Sequence, residues 1–256
     1  MPNEVLVVGK FFPSVMNDLQ QHFSVVHCEN ADALAEMSND QLANIEGFAT
    51  FGWAPASVID RMPNLKLISS FGVGYDGVDA DHAAAKGVIV THTPDVLNDD
   101  VANTTIMLLL ATMRHMVEQD RYLRDGRWEK EGNAPLTRSI AGKVVGIVGL
   151  GRIGEAIAHK LSVFNCTTVY HSRNQKPQVD YKYYGDLVEM AKDCDVLIAI
   201  TPGGPATNKL INRAVMEALG PEGTLINVAR GTVVDEAEMV SALQDGRLGY
   251  AGLDVF

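Results

Sequence analysis

The feature that most constrains the fold of this chain is a repeated alternation of short apolar runs, rich in Val and Ile, with segments of helical length. The runs are apolar on both faces, which is typical of parallel strands buried between two layers of helices. Because helical crossovers join parallel strands, the pattern predicts α/β architecture. The predicted strands are Val5–Val8, Ser24–His27, Gly47–Phe51, Leu65–Phe71, Val88–His92, Lys143–Val148, Thr168–Ser172, Val196–Ile200, Thr224–Val228 and Tyr250–Val255. The predicted helices include Val15–His22, Ala80–Lys86, Glu155–Phe164, Leu187–Lys192 and Glu236–Asp245.

The alternation occurs in two blocks, which predicts two domains, one of residues 1–98 and one of residues 99–256. Near the boundary, apolar residues recur at helical spacing over Asp99–Arg124. One helix of that length would span about 40 Å. It could be a large core helix, or a helix at an interface between domains or between copies of the chain. The polar segment Gly126–Ser139 that follows is predicted to be a surface connection.

Charge and cysteine content narrow the possible partners. The chain has 21 Lys and Arg against 32 Asp and Glu, a net charge of −11, which opposes binding to nucleic acid or to an anionic membrane. Its three cysteines are far apart and odd in number, so we expect neither a disulfide framework nor a metal site.

The N-terminal residues do not resemble a signal peptide, and the longest apolar run, Ile106–Met113, is too short to span a bilayer. These features predict a cytoplasmic protein.

The segment Lys143–Gly154 reads KVVGIVGLGRIG, a buried strand followed by a glycine-rich turn and a helix. In such a loop the first glycine permits a tight turn, the second lets a pyrophosphate approach the backbone, and the third lets helix and strand pack closely. The helix N terminus adds a partial positive charge. We therefore predict a dinucleotide site, although a glycine-rich turn can also serve packing alone. The predicted loop residues are Gly149, Leu150, Gly151, Arg152, Ile153 and Gly154.

The end of the second strand of this domain indicates which dinucleotide binds. An NAD site normally has a carboxylate there that accepts the ribose 2′-OH. Here Ser172, Arg173 and Asn174 occupy that stretch, and no carboxylate occurs before Asp180. A hydroxyl and a guanidinium suit a 2′-phosphate, so we predict NADP, with NADPH preferred over NADH. Alternatively, Arg173 is a solvated turn residue.

Five segments, in this order, resemble the D-isomer-specific 2-hydroxyacid dehydrogenase family across essentially the whole chain. The segments are SSFGVGYDGVD (Ser69–Asp79), THTPDVLNDDVANTTIMLLLA (Thr91–Ala111), GKVVGIVGLGRIG (Gly142–Gly154), LINVARGTVVDEAEMVSAL (Leu225–Leu243) and AGLDVF (Ala251–Phe256). The tract YHSRNQKP (Tyr170–Pro177) most resembles NADPH-preferring glyoxylate/hydroxypyruvate reductases and the related hydroxyphenylpyruvate reductases.

This resemblance implies two Rossmann-like domains with a cleft between them: a flavodoxin-like substrate domain and an NAD(P)-binding, doubly wound parallel sheet. In the family the substrate domain is discontinuous and is completed by a C-terminal segment. The family also forms homodimers through the nucleotide-binding domain. We expect the same organisation here.

The resemblance also implies roles for individual residues. Arg230 would bind the 2-oxo acid and polarise its carbonyl, tasks that suit a planar cation. The backbone N–H groups of Val73 and Gly74 would hold the substrate carboxylate, and Asp254 would orient the nicotinamide. The remaining implied cofactor contacts are Thr201, Pro202, Val228, Ala229 and Arg230 itself, although the tract TPGGPATN departs from the family pattern. Without the resemblance, Arg230 could be a surface capping residue and the Val73 loop simply a turn.

The family's proton donor is a His oriented by a Glu, both C-terminal to the DVF motif. The sequence given ends at Phe256, before both positions, and none of its seven histidines matches the family's position. We therefore expect that the chain is truncated; the alternative is a natural protein that binds coenzyme without turnover.

The sequence predicts NADPH-dependent reduction of small 2-oxo acids, with glyoxylate or hydroxypyruvate as first candidates, to D-2-hydroxy acids. One alternative is a reductase of aryl 2-oxo acids such as hydroxyphenylpyruvate, with Gly52-Trp53-Ala54 as a pocket wall, unless Trp53 belongs to the core. Another is a non-catalytic NADP(H)-binding regulator, which the presence of Arg230 opposes.

Overall fold

The computed structural model describes residues 3–256, which form two compact units, one ending at Val96 and one spanning Leu97–Phe256. Both units are built on parallel sheets, so the predicted α/β architecture is confirmed. Each of the ten predicted strands is present, with its ends shifted by at most two residues. Three short strands, Trp53–Ala54, Gly77–Val78 and Lys182–Tyr184, were not predicted.

The first unit contains a five-stranded parallel sheet and a separate two-stranded ladder. Its strands are β1 (Glu4–Val8), β2 (Ser24–Cys28), β3 (Ile45–Thr50), β4 (Trp53–Ala54), β5 (Leu67–Ser70), β6 (Gly77–Val78) and β7 (Ile89–Thr91). Its helices are α1 (Pro13–His22), α2 (Ala31–Glu36), α3 (Asn39–Leu42), α4 (Ala56–Ile59) and α5 (Ala80–Ala85). The sheet order is β2-β1-β3-β5-β7, the flavodoxin-like order once the β4–β6 ladder is set apart.

The alternate side chains of β1 show why both faces of this sheet had to be apolar. Val5 and Val7 pack with Met16 and Leu19 of α1 on one face. Leu6 belongs to the larger cluster on the other face, with residues of α2, α4 and α5. Both faces are therefore covered by helices, as the apolar strands predicted.

The second unit contains a six-stranded parallel sheet. Its strands are β8 (Val144–Val148), β9 (Thr167–His171), β10 (Lys182–Tyr184), β11 (Val196–Ala199), β12 (Thr224–Asn227) and β13 (Tyr250–Leu253). Its helices are α6 (Asn98–Met113), α7 (Met116–Arg124), α8 (Arg127–Glu131), α9 (Arg152–Leu161), α10 (Leu187–Asp193), α11 (Arg213–Leu219) and α12 (Glu236–Asp245), with 3-10 turns at Ser162–Phe164 and Gly231–Val233. The order β10-β9-β8-β11-β12-β13 is that of a dinucleotide-binding Rossmann sheet, with its switch point between β8 and β11.

Helices cover both faces of this sheet as well. Val145 and Ile147 of β8 lie in one cluster with buried residues of α6 and α9. Val148, on the opposite face, lies in another cluster with residues of α10, α11 and α12. Because all six strands are parallel, their carboxyl ends lie at one edge of the sheet, where open α/β sheets bind ligands.

The single helix predicted over Asp99–Arg124 is wrong, because the chain turns between α6 and α7. His115 adopts a left-handed conformation (φ 49°), and its ring packs against Tyr250 with 5.1 Å between ring centroids. The Met113 carbonyl, which a continuous helix would bond to residue 117, accepts instead from the Arg138 N–H at 3.2 Å. The turn is thus held by tertiary contacts. Of the two interpretations of this segment, the core helix holds for α6, whose buried side chains lie in the second unit's core.

The segment Gly126–Ser139, predicted to be a surface connection, also contains the short helix α8. A salt bridge of 2.7 Å between Arg127 and Glu131, one helical turn apart, supports it. Among residues 3–256, no helix combines the length and apolar character needed to cross a membrane.

Candidate functional site

The glycine-rich loop after β8 has the geometry of a phosphate-binding turn. Gly149 has φ +104°, and a Cβ there would lie 2.8 Å from the Ile200 carbonyl oxygen. A Cβ on Gly154 would lie 2.3 Å from the Gly149 carbonyl oxygen, so helix α9 can approach the loop only without a side chain. At Gly151, by contrast, no described atom beyond its own chain neighbours lies within 4 Å of such a Cβ. The open position is the one where a bound pyrophosphate needs access to the backbone.

Helix α9 begins directly after Gly151, so its first N–H groups face the loop. No side chain within residues 3–256 caps this end of the helix. An acidic residue in the first turn, Glu155, is paired with Lys176 at 2.6 Å, which offsets its charge. The loop and the helix end therefore fit the pyrophosphate of a dinucleotide.

The loop after β9 contains the predicted coenzyme-selectivity residues. Arg173 and Asn174 are exposed, and the Ser172 hydroxyl donates to the Asn174 carbonyl at 2.7 Å. Two tyrosine hydroxyls form hydrogen bonds with the backbone of this loop. The Tyr170 hydroxyl accepts from the backbone N–H of Lys176 at 2.8 Å, and the Tyr183 hydroxyl donates to the Ser172 carbonyl at 3.2 Å. Arg173 is therefore an exposed side chain on a loop that hydrogen bonds hold in place.

The tract after β11 departs from the family pattern in sequence, but it meets the glycine loop. The Cγ2 atom of Thr201 would lie 2.9 Å from a Cβ on Gly149. The Thr201 hydroxyl is buried and has no hydrogen-bond partner among the described residues. The Pro202 carbonyl accepts from the Thr207 hydroxyl at 2.7 Å, which fixes the turn. Thr201 therefore packs directly against the glycine loop.

A tight turn after β12 carries Arg230, and a buried asparagine organises it. Asn227, 1% exposed, accepts from the Ala229 N–H at 3.1 Å and donates to the Arg230 carbonyl at 3.0 Å. The backbone carbonyl of Asn227 accepts from the Asp254 N–H at 2.9 Å, so a hydrogen bond links the ends of β12 and β13. Val228 and Ala229 are buried within this turn. The sequence analysis missed Asn227; its signal is a polar amide at the end of an apolar strand.

In the first unit, the loop after β5 contains Val73 and Gly74. It begins at Gly72, whose φ of +142° favours glycine. The Gly72 N–H donates to the Thr93 hydroxyl at 3.1 Å, and the Thr93 N–H donates to the Gly72 carbonyl at 3.0 Å. The His92 Nδ1 lies 3.1 Å from the Val73 carbonyl oxygen. Residues just after β7 therefore hold this loop in place.

Phenyl rings cluster at the same edge of the first unit's sheet. The Phe51 and Phe71 rings, after β3 and β5, lie 5.2 Å apart between centroids, and Phe11 lies 4.5 Å from Phe51. Phe51 and Phe71 remain 45% and 40% exposed. Trp53 is partly buried and packs against the first unit's core.

Comparison with known proteins identifies the family. The family model for the NAD binding domain of D-isomer specific 2-hydroxyacid dehydrogenases matches residues 106–256, which is more than half of the chain. The chain belongs to the D-isomer specific 2-hydroxyacid dehydrogenases. The resemblance predicted from the sequence is thereby confirmed.

Several reductases are similar to this chain in sequence or in structure. A hydroxyphenylpyruvate reductase from Plectranthus scutellarioides is 53% identical over 203 residues, 79% of this chain and 64% of that protein. A glyoxylate/hydroxypyruvate reductase A from Arabidopsis thaliana is 44% identical over 255 residues, 98% of this chain and 81% of that protein. An NADPH-dependent glyoxylate/hydroxypyruvate reductase from Sinorhizobium meliloti, solved with NADP and malonate, has a TM-score of 0.94 at 46% identity; the match covers all of this chain and 80% of that one. The chain thus spans less than two thirds of the first relative.

The predicted sites of this dehydrogenase fall into two groups, one in each unit. The second unit holds the glycine loop, Ser172–Asn174, Thr201–Pro202, Val228–Arg230 and Asp254, all after strands of one sheet. The first unit holds Val73 and Gly74. Among residues 3–256, no group of three or more His, Cys, Asp or Glu side chains is arranged to hold a metal ion.

Proposed function

We propose that this dehydrogenase reduces small 2-oxo acids, glyoxylate and hydroxypyruvate first, to D-2-hydroxy acids with NADPH. One observation carries the proposal: a dinucleotide-type glycine loop and the Arg230 turn lie at the carboxyl edge of the same parallel sheet. The relatives named for glyoxylate and hydroxypyruvate reduction support the substrate class.

The chain's own residues fit NADPH. Residues 149–154 would hold the pyrophosphate through backbone N–H groups, and Ser172, Arg173 and Asn174 would hold the 2′-phosphate. Thr201, Pro202, Val228, Ala229 and Asp254 would line and orient the nicotinamide. When bound, the reduced nicotinamide supplies a hydride from its C4 atom. The similarity to an NADPH-dependent reductase crystallised with NADP supports this assignment.

The substrate would be held through its two polar ends. The Val73 and Gly74 N–H groups would bind the carboxylate. The Arg230 guanidinium would pair with the carboxylate and donate to the ketone oxygen, where negative charge develops during reduction. A donor aimed at that oxygen lowers the barrier more than it strengthens ground-state binding.

The test is steady-state reduction of a panel of 2-oxo acids by the full-length protein. We expect turnover of glyoxylate and hydroxypyruvate, with kcat/KM falling by about a hundredfold or more in Arg230→Ala. Arg213→Ala is the matched control, because Arg213 is an exposed arginine that pairs with Glu217 at 2.8 Å on α11. Near-wild-type turnover by Arg230→Ala would refute the proposed role. Coenzyme binding without reduction of any 2-oxo acid would favour the regulator alternative.

The exposed phenyl rings favour a second candidate, reduction of aryl 2-oxo acids. Phe71 directly precedes the loop that contains Val73, and the exposed faces of Phe51 and Phe71 could pack on an aromatic substrate. The hydroxyphenylpyruvate reductase relative supports it. Phe51→Ala should then lower kcat/KM for hydroxyphenylpyruvate while leaving glyoxylate reduction unchanged. An equal effect on both substrates would reject the aryl pocket.

We also propose that the protein is a homodimer formed through the second unit. Support comes from the exposed large apolar side chains of α6, α7 and α8, which are Met107, Met116, Val117, Leu123 and Trp128. Sedimentation should give twice the subunit mass, and Leu123→Glu should weaken the dimer; a monomer in the wild type would contradict this.

A cytoplasmic location is proposed from the cysteines. Cys28, Cys166 and Cys194 are all free thiols in the described structure, as expected in a reducing compartment. Recovery of the native protein outside the cytoplasm would contradict it.

A further inference from the structure

We infer that His92 is a positioning residue that aims the N–H groups of the Val73–Gly74 loop at the substrate carboxylate. The inference rests on the proposed function, because it concerns the loop assigned there to carboxylate binding. It adds a residue that none of the roles described above includes.

Two residues just after β7, His92 and Thr93, contact the carbonyls of two consecutive peptide groups in this loop. The Gly72 carbonyl accepts from the Thr93 N–H at 3.0 Å, and the Val73 carbonyl lies 3.1 Å from the His92 Nδ1. Both peptide groups are trans, so each N–H points opposite to its carbonyl. Holding the Gly72 carbonyl therefore fixes the direction of the Val73 N–H, and holding the Val73 carbonyl fixes that of the Gly74 N–H.

Both carbonyls are thus held toward β7, and both N–H groups are directed to the other side of the loop. Adjacent N–H groups that converge in this way form an anion-binding concavity. A hydrogen bond to a carbonyl also polarises the N–H of the same peptide, which strengthens it as a donor. Gly72, with φ +142°, supplies the backbone conformation from which the loop starts.

The hydrogen bond also determines which ring nitrogen of His92 carries the proton. A carbonyl oxygen only accepts, so this contact assigns the proton to Nδ1. The ring is held further by Tyr75, whose centroid lies 4.9 Å away at 53°. The Nδ1 side of the His92 ring is therefore occupied by its hydrogen bond to the Val73 carbonyl.

The test compares His92→Leu, which removes the donor, with His92→Asn, whose amide nitrogen can reach the same carbonyl. His27→Leu is the matched control, because the His27 Nε2 lies 2.9 Å from the Gly9 carbonyl in the same unit. The readouts are the KM for glyoxylate, the dissociation constant of malonate as a carboxylate probe, and the dissociation constant of NADPH.

We expect His92→Leu to raise the KM for glyoxylate and the malonate dissociation constant by about tenfold, the weight of one hydrogen bond. NADPH affinity should not change, His92→Asn should restore most of the loss, and His27→Leu should behave as wild type. Unchanged malonate binding in His92→Leu overturns the inference. So does a fall in kcat with an unchanged KM that Asn fails to rescue, which would indicate a proton donor instead.

A measurement on the wild type does not depend on the variants folding. The 15N spectrum of His92 should show the Nδ1-protonated tautomer; the other tautomer overturns the inference. The proposed function, as distinct from the role of His92, is refuted if the wild-type protein reduces no 2-oxo acid. If the wild type does reduce them and His92→Leu matches it, only the role of His92 fails.

Discussion

Replacing Gly151 by Ala should separate coenzyme binding from folding. Gly151 has φ −84°, which Ala adopts readily, and its added methyl group would meet no described atom beyond its chain neighbours within 4 Å. Loss of unfolded-chain entropy stabilises such a variant by about 0.4–1 kcal/mol. Ala is a poorer N-cap than Gly by a similar amount, so the two effects nearly cancel. We expect the free energy of unfolding to stay within about 1 kcal/mol of wild type.

The same methyl group should be costly to coenzyme binding. It would occupy the side from which a pyrophosphate approaches the N–H groups of α9. Losing two charge-assisted hydrogen bonds, each worth about 1.5 kcal/mol, removes about 3 kcal/mol. The dissociation constant of NADPH should therefore rise by about a hundredfold or more.

The matched variant is Gly154→Ala, whose Cβ would lie 2.3 Å from the Gly149 carbonyl oxygen. That contact forces the backbone to shift, at a cost of about 1–3 kcal/mol in unfolding free energy. Urea denaturation measures stability, and titration of NADPH fluorescence measures affinity. If Gly151→Ala binds NADPH within threefold of wild type, or is as unstable as Gly154→Ala, the reasoning is refuted.

Three further predictions concern single side chains. Arg173→Ala should lower the ratio of kcat/KM for NADPH to that for NADH by about ten- to a hundredfold, and an unchanged ratio would argue against 2′-phosphate recognition. Asn227→Ala removes the side-chain hydrogen bonds to the Ala229 N–H and the Arg230 carbonyl, so it should cost about 1–3 kcal/mol by urea denaturation and reduce turnover; equal stability to wild type would contradict this. Burial raises the pKa of Asp195, but the hydrogen bond from Lys143 and other favourable contacts outweigh it and leave that pKa below its usual value. Its contribution to stability is therefore complete above the ordinary carboxyl pKa and is lost as the pH falls through the lowered one, and Asp195→Asn should flatten stability against pH in that acidic range.

The central strands of the second sheet, such as β8 and β11, could be predicted from the sequence because they are apolar and buried on both faces. Strands β5 and β7 are partly exposed, and they were predicted from their short apolar runs alone. Strand β10 was missed because Lys182–Tyr184 is short and partly exposed at the sheet edge. The turn at His115 had no local signal, since neither Gly nor Pro occurs there. It depends on Arg138 and Tyr250, which are distant in sequence.

Some residues of the candidate site could be predicted from the sequence, and others could not. The three glycines could be assigned separate roles because the flanking strand and helix fix the geometry of the loop. Asn227 could not be predicted, since its importance depends on where β12 ends and on how the chain turns back to Arg230. The His92 contact depends on β5 and β7 being neighbours, which the order of elements along the chain does not specify.

The central claim, hydride transfer from NADPH to a 2-oxo acid with D stereochemistry, has one most direct measurement. Full-length protein is incubated with hydroxypyruvate and NADPH carrying deuterium at the transferred C4 position, and the glycerate formed is analysed for label and chirality. The account predicts D-glycerate with deuterium at C2. Formation of L-glycerate, or of glycerate without the label, would contradict it.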